Sequence, residues 1–318
     1  NADYKFNDNF SAGINMGVDY SAFNTKEILD PLSLLGPFQV SARAQYGGIH
    51  EESSTRDFRF NNTTYLKYNK VFNDKHSLNV GLYTEYYKAH YNGFNFQKRG
   101  LDPRLTGTSA AFIPSTTIES YQTLPPYIPT ALGSFKSEEG LFSYFGQVDY
   151  DYSEKYGISA NVRRDATFRF VDDNRWGTFW SVAGRWNIDQ ESFMDGSAFN
   201  MLKLRGSYGT SGNQRVSNTQ YDALSLPRTL YAVGTGYNGT PSTVLSQLEN
   251  PTVQWEEIKQ TNIGLDFGLW QNKLNGSLDV YKKETTKLYQ SSPISAVQGA
   301  TGISTNIGGM ENKGVELT

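Results

Sequence analysis

The stretch Phe10–Tyr20 reads FSAGINMGVDY. Phe10, Ala12, Ile14, Met16, Val18 and Tyr20 take the even positions; Ser11, Gly13, Asn15, Gly17 and Asp19 take the odd ones. A period of two sends successive side chains to opposite faces of a strand. One face is therefore apolar and the other polar and charged. Two architectures use such a strand. A soluble sandwich buries the apolar face in a core. A membrane β-barrel turns it to lipid and keeps its polar face on a wet lumen.

Composition leaves both open. The 318 residues suffice for one or two soluble domains, or for part of a large barrel. At 37% hydrophobic residues and a mean hydropathy of −0.55 the chain is, on average, that of a soluble protein. It has no run of about 18 apolar residues, which excludes a transmembrane helix. A barrel needs only every second residue apolar. Aromatics make up 14%, with 21 Tyr and 19 Phe, which suits the aromatic girdles of barrels and equally a Tyr-rich soluble β protein. The absence of cysteine removes disulfides, thiolate catalysis and Cys-based zinc sites. A net charge of −3 offers no basic field to nucleic acid. The chain opens at Asn1 without Met or secretory signal, as expected of a mature or internal piece.

About eleven segments carry strand length and pattern: 10–20, 39–50, 58–71, 77–88, 141–152, 156–166, 176–188, 202–210, 257–270, 274–284 and 306–318. One short turn of helix is expected within Ser21–Phe38. From residue 72 onward, shorter and longer connections alternate: Asn73-Asp74-Lys75 is tight and 89–140 long, Ser153-Glu154-Lys155 tight and 167–175 moderate, Asp189–Met201 moderate and 211–256 long, Gln271-Asn272-Lys273 tight and 285–305 long. Strict alternation of short turns and long loops marks an up-and-down outer-membrane barrel. A sandwich has no reason to gather its tight turns at one end. The mid-strand charges Asp19, Arg43, Glu85, Asp149, Arg163, Arg185 and Arg205 all fall on the polar parity. Lipid would enforce that, because Lys or Arg at the bilayer midplane costs about 2–4 kcal/mol; a half-buried soluble sheet would show it too.

Catalytic patterns are missing. No Gly-x-Ser-x-Gly elbow or phosphate-binding Gly-x-x-x-x-Gly-Lys-Ser/Thr loop occurs, and His50, His76 and His90 lack metal-ligand spacing. Glu256 and Glu257 are adjacent, so on a strand they point apart and cannot work on one substrate; a solvated loop edge is expected for them. Asp165, Asp172, Asp173 and Asn174 supply oxygens suited to calcium, without EF-hand spacing; a solvated loop is the plainer reading. The long loops carry Tyr91, Phe94, Phe96, Tyr121 and Tyr127 in one case, with Pro125, Pro126 and Pro129, and Tyr221, Tyr231, Tyr237 and Trp255 in the other. Such rings stack on sugars or a partner protein, or pack the loops on themselves.

The blocks RRDATFRFVDDNRWGTFWSVAGRWNI (163–188), LKLRGSYGTSGNQ (202–214), QWEEIKQTNIGLDFGLWQNKLNGSLDVYKKETTKL (254–288) and NIGGMENKGVELT (306–318) follow one another, with the turn FNDKHSL at 72–78. Their succession resembles the C-terminal half of the barrel in SusC/RagA-type TonB-dependent transporters of Bacteroidota outer membranes. The matching blocks spread over roughly residues 60–318. Trp180 departs from the pattern, since the family more often has proline before the serine; that touches local strand geometry only.

The resemblance implies an all-β fold: a fragment of about eleven antiparallel strands from a large up-and-down transmembrane barrel. Large outer-membrane transporters have 22 strands around a plugged lumen. Residues 1–318 then form a partial barrel domain, with plug, TonB box and final strands expected elsewhere, since open edges are not tolerated in lipid. The implied function is TonB-dependent, energy-coupled import of a nutrient, an oligosaccharide or a peptide. The implied partners are a SusD-like surface lipoprotein, TonB through the N-terminal part, and outer-membrane lipid. No cofactor, metal or nucleic acid is implied. Asp149, Arg163, Arg185, Lys203, Arg205, Asp266 and Asp279 are the candidate lumen-facing residues, expected to wet the lumen and hold the plug. Tyr121, Tyr127, Tyr221, Tyr231 and Tyr237 are the candidate extracellular contacts to substrate or partner. The rival readings are a passive porin or structural outer-membrane protein, and a soluble carbohydrate-binding module; an enzyme ranks last.

Overall fold

In a computed structural model of the chain, the structure describes residues 1–35, 47–113, 131–215, 228–271, 273–295, 297 and 299–318. The strands are β1 (Ala2–Lys5), β2 (Phe10–Leu29), β3 (Ile49–Phe72), β4 (His76–Arg99), β5 (Ala131–Tyr152), β6 (Tyr156–Thr167), β7 (Trp176–Asn187), β8 (Phe199–Asn213), β9 (Leu230–Thr235), β10 (Pro241–Gln247), β11 (Glu256–Leu269), β12 (Leu274–Pro293) and β13 (Gly302–Leu317). Eleven of them form one sheet in the order β1-β2-β3-β4-β5-β6-β7-β8-β11-β12-β13, and β9 and β10 form a separate hairpin. Every pair whose register is defined is antiparallel. This is an up-and-down sheet, open at both ends of the chain. Its residues fall into two compact units, Asn1–Gly17 with Asn61–Lys88 and Glu139–Thr318, and Val18–Phe60 with Ala89–Glu138.

Local chemistry sets the short-turn end. Asn73 and Asp74, Ser153 and Glu154, and Trp270 and Gln271 are consecutive residues with positive φ, between 50° and 60°. Two successive left-handed residues are the signature of the primed turns, whose twist matches that of the flanking strands. The first two pairs are closed by a hydrogen bond around them, Lys75 N to Phe72 O at 3.1 Å and Lys155 N to Tyr152 O at 2.9 Å; at the third connection Trp270 is itself the acceptor, from Lys273 N at 3.3 Å.

The ladder is staggered. Tyr156, beside its turn, pairs with Trp186, Trp186 with Leu204, Leu204 with Leu265, and Leu265 with Leu278. Leu278 lies four residues past Leu274, where β12 leaves its own turn. Four strand steps therefore climb four residues. With a rise of about 3.4 Å per residue and a strand spacing of about 4.8 Å, strands so staggered tilt by roughly 35°, which is the tilt that barrel closure requires.

One face of the larger unit is an apolar band between aromatic rows. Tyr152, Tyr156 and Trp186 stack near the turns, with ring centroids 6.3 Å apart in each step. Toward the loops lie Tyr144 against Trp176 at 5.9 Å and Trp180 against Tyr208 at 5.3 Å. Ile158, Val162, Val182, Ile263, Leu278 and Val280 stand exposed between the rows. On β12 and β13 the band gives way to charges that neutralise one another. Lys282 contacts Glu284 at 2.5 Å and Glu311 at 3.2 Å, and Lys313 contacts Glu311 at 3.4 Å.

Several expectations are corrected. Ser21–Leu29 continues β2 as strand where a helical turn was expected; Thr25 Oγ1 bonds across to Ser53 Oγ at 2.5 Å. Of the expected strand 39–50, residues 39–46 and with them Arg43 lie outside the described residues, while Ile49 and His50 begin β3. β4 runs on to Arg99 and β5 begins at Ala131, so both take much of the loop expected at 89–140. The loop expected at 211–256 contains the β9–β10 hairpin, and β12 and β13 shorten the last one. In each case the strict alternation of apolar and polar residues lapses while the backbone ladder continues, so the sequence pattern stops short of the strand end.

The loop ends have small cores. In the larger unit Phe170, Val253 and Trp255 are buried, with Leu141, Phe179 and Tyr289 packed on them, and Trp255 Nε1 donates to Arg175 O at 2.9 Å. In the smaller unit Ala89, Tyr91, Leu101, Ala111 and Ile113 are buried, and His50 lies between Phe96 and Phe112 at 5.9 and 5.1 Å. Trp255, Tyr91 and Phe96 thus pack their own loops.

Candidate functional site: the charged face of the sheet

The register brings all seven predicted charged residues to one face. Arg163 lies opposite Phe145, and Asp149 opposite Ser159, four residues from Arg163 on β6. Gly157, on the same parity, pairs with Arg185, which pairs with Arg205. Lys203 pairs with Asp266, and Arg205 with Gly264, which pairs with Asp279. Asp149, Arg185, Lys203 and Arg205 share a depression of about 540 Å³ with Asp151, Ser159 and Asn262. Arg163, Asp266 and Asp279 stand outside it.

Arg205 is the centre of one network. Its Nε donates to both oxygens of Asp266 at 3.0 Å, and its Nη2 donates to Asp266 at 2.8 Å and to Asp279 at 2.9 Å. Gly264 makes room for it: a Cβ there would stand 2.5 Å from Asp279 Oδ1 and 2.7 Å from Arg205 Cζ. The second network belongs to Arg163, which bonds Asp165 at 2.6 Å, Glu85, and Ser143 Oγ at 2.8 Å. Arg185 is paired with Asp151, and Asp149 accepts from Ser159 Oγ at 2.6 Å. Arg185 and Arg205 are direct cross-strand neighbours, a repulsive arrangement by itself; the flanking carboxylates offset it. Lys203 finds no carboxylate within 4 Å among the described residues, since Asp266 opposite it is taken by Arg205.

An aromatic row crosses the same face. Tyr65 lies 6.1 Å from Tyr83, and Tyr83 stacks on Phe145 at 4.6 Å and 6° between planes. The Arg163 guanidinium stands 4.7 Å over Phe145. Across β6, Phe179 is the register partner of Arg163 and meets Trp255 at 5.5 Å. Sequence reading missed Phe145 and Phe179 as members of this face, although their odd parity was visible; Glu85, Asp151 and Asp165 were missed as ion-pair partners because pairing depends on register.

The other predicted residues separate. Tyr231 and Tyr237 sit on the β9–β10 hairpin, 67% and 96% exposed. Tyr121, Tyr127 and Tyr221 lie outside the described residues. Glu256 is not a solvated edge: it is buried and accepts from Asn213 Nδ2 at 2.7 Å and Tyr289 N at 2.8 Å, joining β8 and β12. Asp165 is spent on Arg163, and Asp172–Arg175 form one turn of 3₁₀ helix. Among the described residues no three His, Asp or Glu side chains converge as a metal site. Two acids in the connections are strongly acidic. Asp102 is held at about 2 by hydrogen bonds from the side chain and backbone of Arg104, and Glu191 at about 2 by those from Tyr156, Lys155 and Trp186.

Comparison with known proteins places this sheet. A family model for the β-barrel of TonB-dependent receptor-like proteins matches residues 1–318. TonB-dependent receptor P39 of Formosa agariphila is 34% identical over 262 residues, covering 82% of this chain and 24% of the relative. TonB-dependent receptor SusC of Bacteroides thetaiotaomicron is 30% identical over 289 residues, covering 86% and 28%. Among solved structures, the RagAB peptide importer in its closed-closed state superposes with a TM-score of 0.80 at 22% identity, over 99% of this chain and 32% of that one. The chain therefore spans about a quarter to a third of the length of its relatives. The staggered up-and-down sheet and the matched length agree: the chain belongs to the β-barrel family of TonB-dependent receptor-like proteins.

Proposed function

We propose that the protein containing this chain imports a nutrient, an oligosaccharide or a peptide, across the outer membrane in a TonB-dependent, energy-coupled step. It is the SusC-like barrel of a complex with a SusD-like surface lipoprotein. One observation carries the reading: a staggered sheet with an apolar band between aromatic rows on one face and ion-paired charges on the other. The apolar face meets outer-membrane lipid. Asp149, Arg163, Arg185, Lys203, Arg205, Asp266 and Asp279 face the lumen, where their job is to hold the plug domain and water. The short turns are periplasmic and the long loops extracellular. The exposed Tyr231 and Tyr237 contact the lipoprotein or the substrate, and the same role is proposed for Tyr121, Tyr127 and Tyr221. The relatives' names, a TonB-dependent receptor SusC and a RagAB peptide importer, support the energy source and, for the latter, a peptide as cargo. The reading is of transport, and no catalytic step is assigned.

The test uses the full-length protein in its own bacterium. Uptake of labelled oligosaccharide and peptide pools is compared between wild type, a strain lacking the protein and a strain lacking TonB. Loss of uptake in both deletions, with a lipoprotein copurifying in mild detergent, is expected. Uptake that needs the protein but survives loss of TonB would make it a passive porin.

A further inference from the structure

The apolar face of the larger unit contains a groove whose lining includes a cation without a carboxylate partner among the described residues. Leu66, Leu82, Tyr144, Gly146, Val162 and Arg164 are among the residues that line a depression of about 650 Å³, together with parts of Tyr65, Tyr83 and Phe145 from the same strands. Gly146 opens it: the nearest atom to a Cβ built there would be Leu82 Cδ2, at 3.3 Å. Leu66, Leu82, Tyr144 and Val162 are all exposed.

Arg164 is unlike its neighbour. Arg163, on the opposite face, engages Glu85 and Asp165. Arg164 has no carboxylate within 4 Å among the described residues; its guanidinium stands 4.9 Å from the Trp176 ring centroid and is exposed. The ring's quadrupole stabilises the charge on one side. The five N–H donors remain available for an anion, and the guanidinium fork suits a phosphate.

Depth agrees with charge. Arg164 is eight residues from Tyr156, the aromatic row at the short-turn end. At about 3.4 Å per residue and a tilt of about 40° that is roughly 21 Å, close to the height of an outer-membrane apolar band. The cation therefore stands at the far interface, and the groove runs from it into the band. A soluble anion would use the arginine and leave the groove empty. An amphiphile with an anionic head uses both.

We propose that this groove seats an acyl chain of a phosphate-bearing lipid from the leaflet at the long-loop end, with its phosphate on Arg164. The inference rests on the reading that this face meets lipid. Full-length protein, purified and delipidated in detergent, is titrated with monophosphoryl lipid A and followed by native mass spectrometry, with heat-modifiable gel migration as the control for folding. One retained lipid is expected. Removing the phosphate from the lipid, Arg164→Gln, and Gly146→Leu (which fills the groove and leaves the arginine) are each expected to weaken retention about tenfold, while millimolar inorganic phosphate fails to displace it. Equal retention by Arg164→Gln or by dephosphorylated lipid would overturn the proposal, leaving Arg164 an interface anchor. Displacement by inorganic phosphate would also overturn it, because the groove would then contribute nothing. A protein that stays monomeric and folded without detergent would instead sink the membrane reading beneath it.

Discussion

Arg205→Met removes the only counter-charge that Asp266 and Asp279 have within 4 Å among the described residues. The side chains of Arg205, Asp266 and Asp279 are 37%, 19% and 17% exposed, so the network lies between two limits. A surface ion pair contributes about 0–1 kcal/mol, and breaking a fully buried one costs about 3–5 kcal/mol. Relief of the cross-strand repulsion with Arg185 returns a few tenths of a kcal/mol. The expected cost is about 2 kcal/mol, and most of it comes from two covered carboxylates left without a cation. Two comparisons isolate that cause. Lys203→Met, on the same face but without an ion pair, should cost under about 0.5 kcal/mol. Adding Asp266→Asn and Asp279→Asn to Arg205→Met should restore about half the loss, because amides carry no charge to strand. The assay is the guanidinium midpoint of the full-length protein in detergent, read by tryptophan fluorescence and by heat-modifiable migration. Equal midpoints for the Arg205 and Lys203 variants, or no recovery with the amides, would refute the reasoning.

Three further outcomes follow from particular contacts. Gly264→Leu should lower the same midpoint by about as much as Arg205→Met, roughly 2 kcal/mol, since any side chain there displaces the arginine fork; a neutral result would show that the fork has another way round. Gly212→Val should expel the Phe179 ring, which lies over that glycine, and raise hydrogen exchange in Phe170, Val253 and Trp255, with unchanged exchange counting against the packing described. Glu191 holds the connection between β7 and β8 against Tyr156 and Trp186, and its carboxyl sits at about 2 in the folded protein against an ordinary 4.5. A depressed carboxyl stabilises above its unfolded value and loses that stabilisation as pH falls through the folded one. Exchange protection of residues 188–198 should therefore be constant above pH 5 and fall between about pH 4.5 and 2, and Glu191→Gln should remove that dependence; a variant with the same pH profile would exclude Glu191 as its source.

The two-faced strand, the turn spacing and the parity of the charges are legible along the chain alone. Each is a local property. Alternation at Phe10–Tyr20 needs only period two, and Asn73-Asp74 tolerates left-handed backbone wherever it falls. The seven charged positions shared a face as soon as parity was assigned. Tertiary structure decided everything that depends on which strand lies beside which, and at what offset. The four-residue climb from Tyr156 to Leu278 is written in no single segment. Arg205 meets acids 61 and 74 residues away, and only register shows that they converge while Lys203 goes without. Glu256 reads as a loop edge until β8 and β12 close over it. Arg163 and Arg164 are identical in sequence terms, yet one is paired with acids and the other faces the apolar side, because consecutive residues on a strand point apart. Strand ends escaped the sequence because the alternation lapses there while backbone hydrogen bonds carry the ladder on.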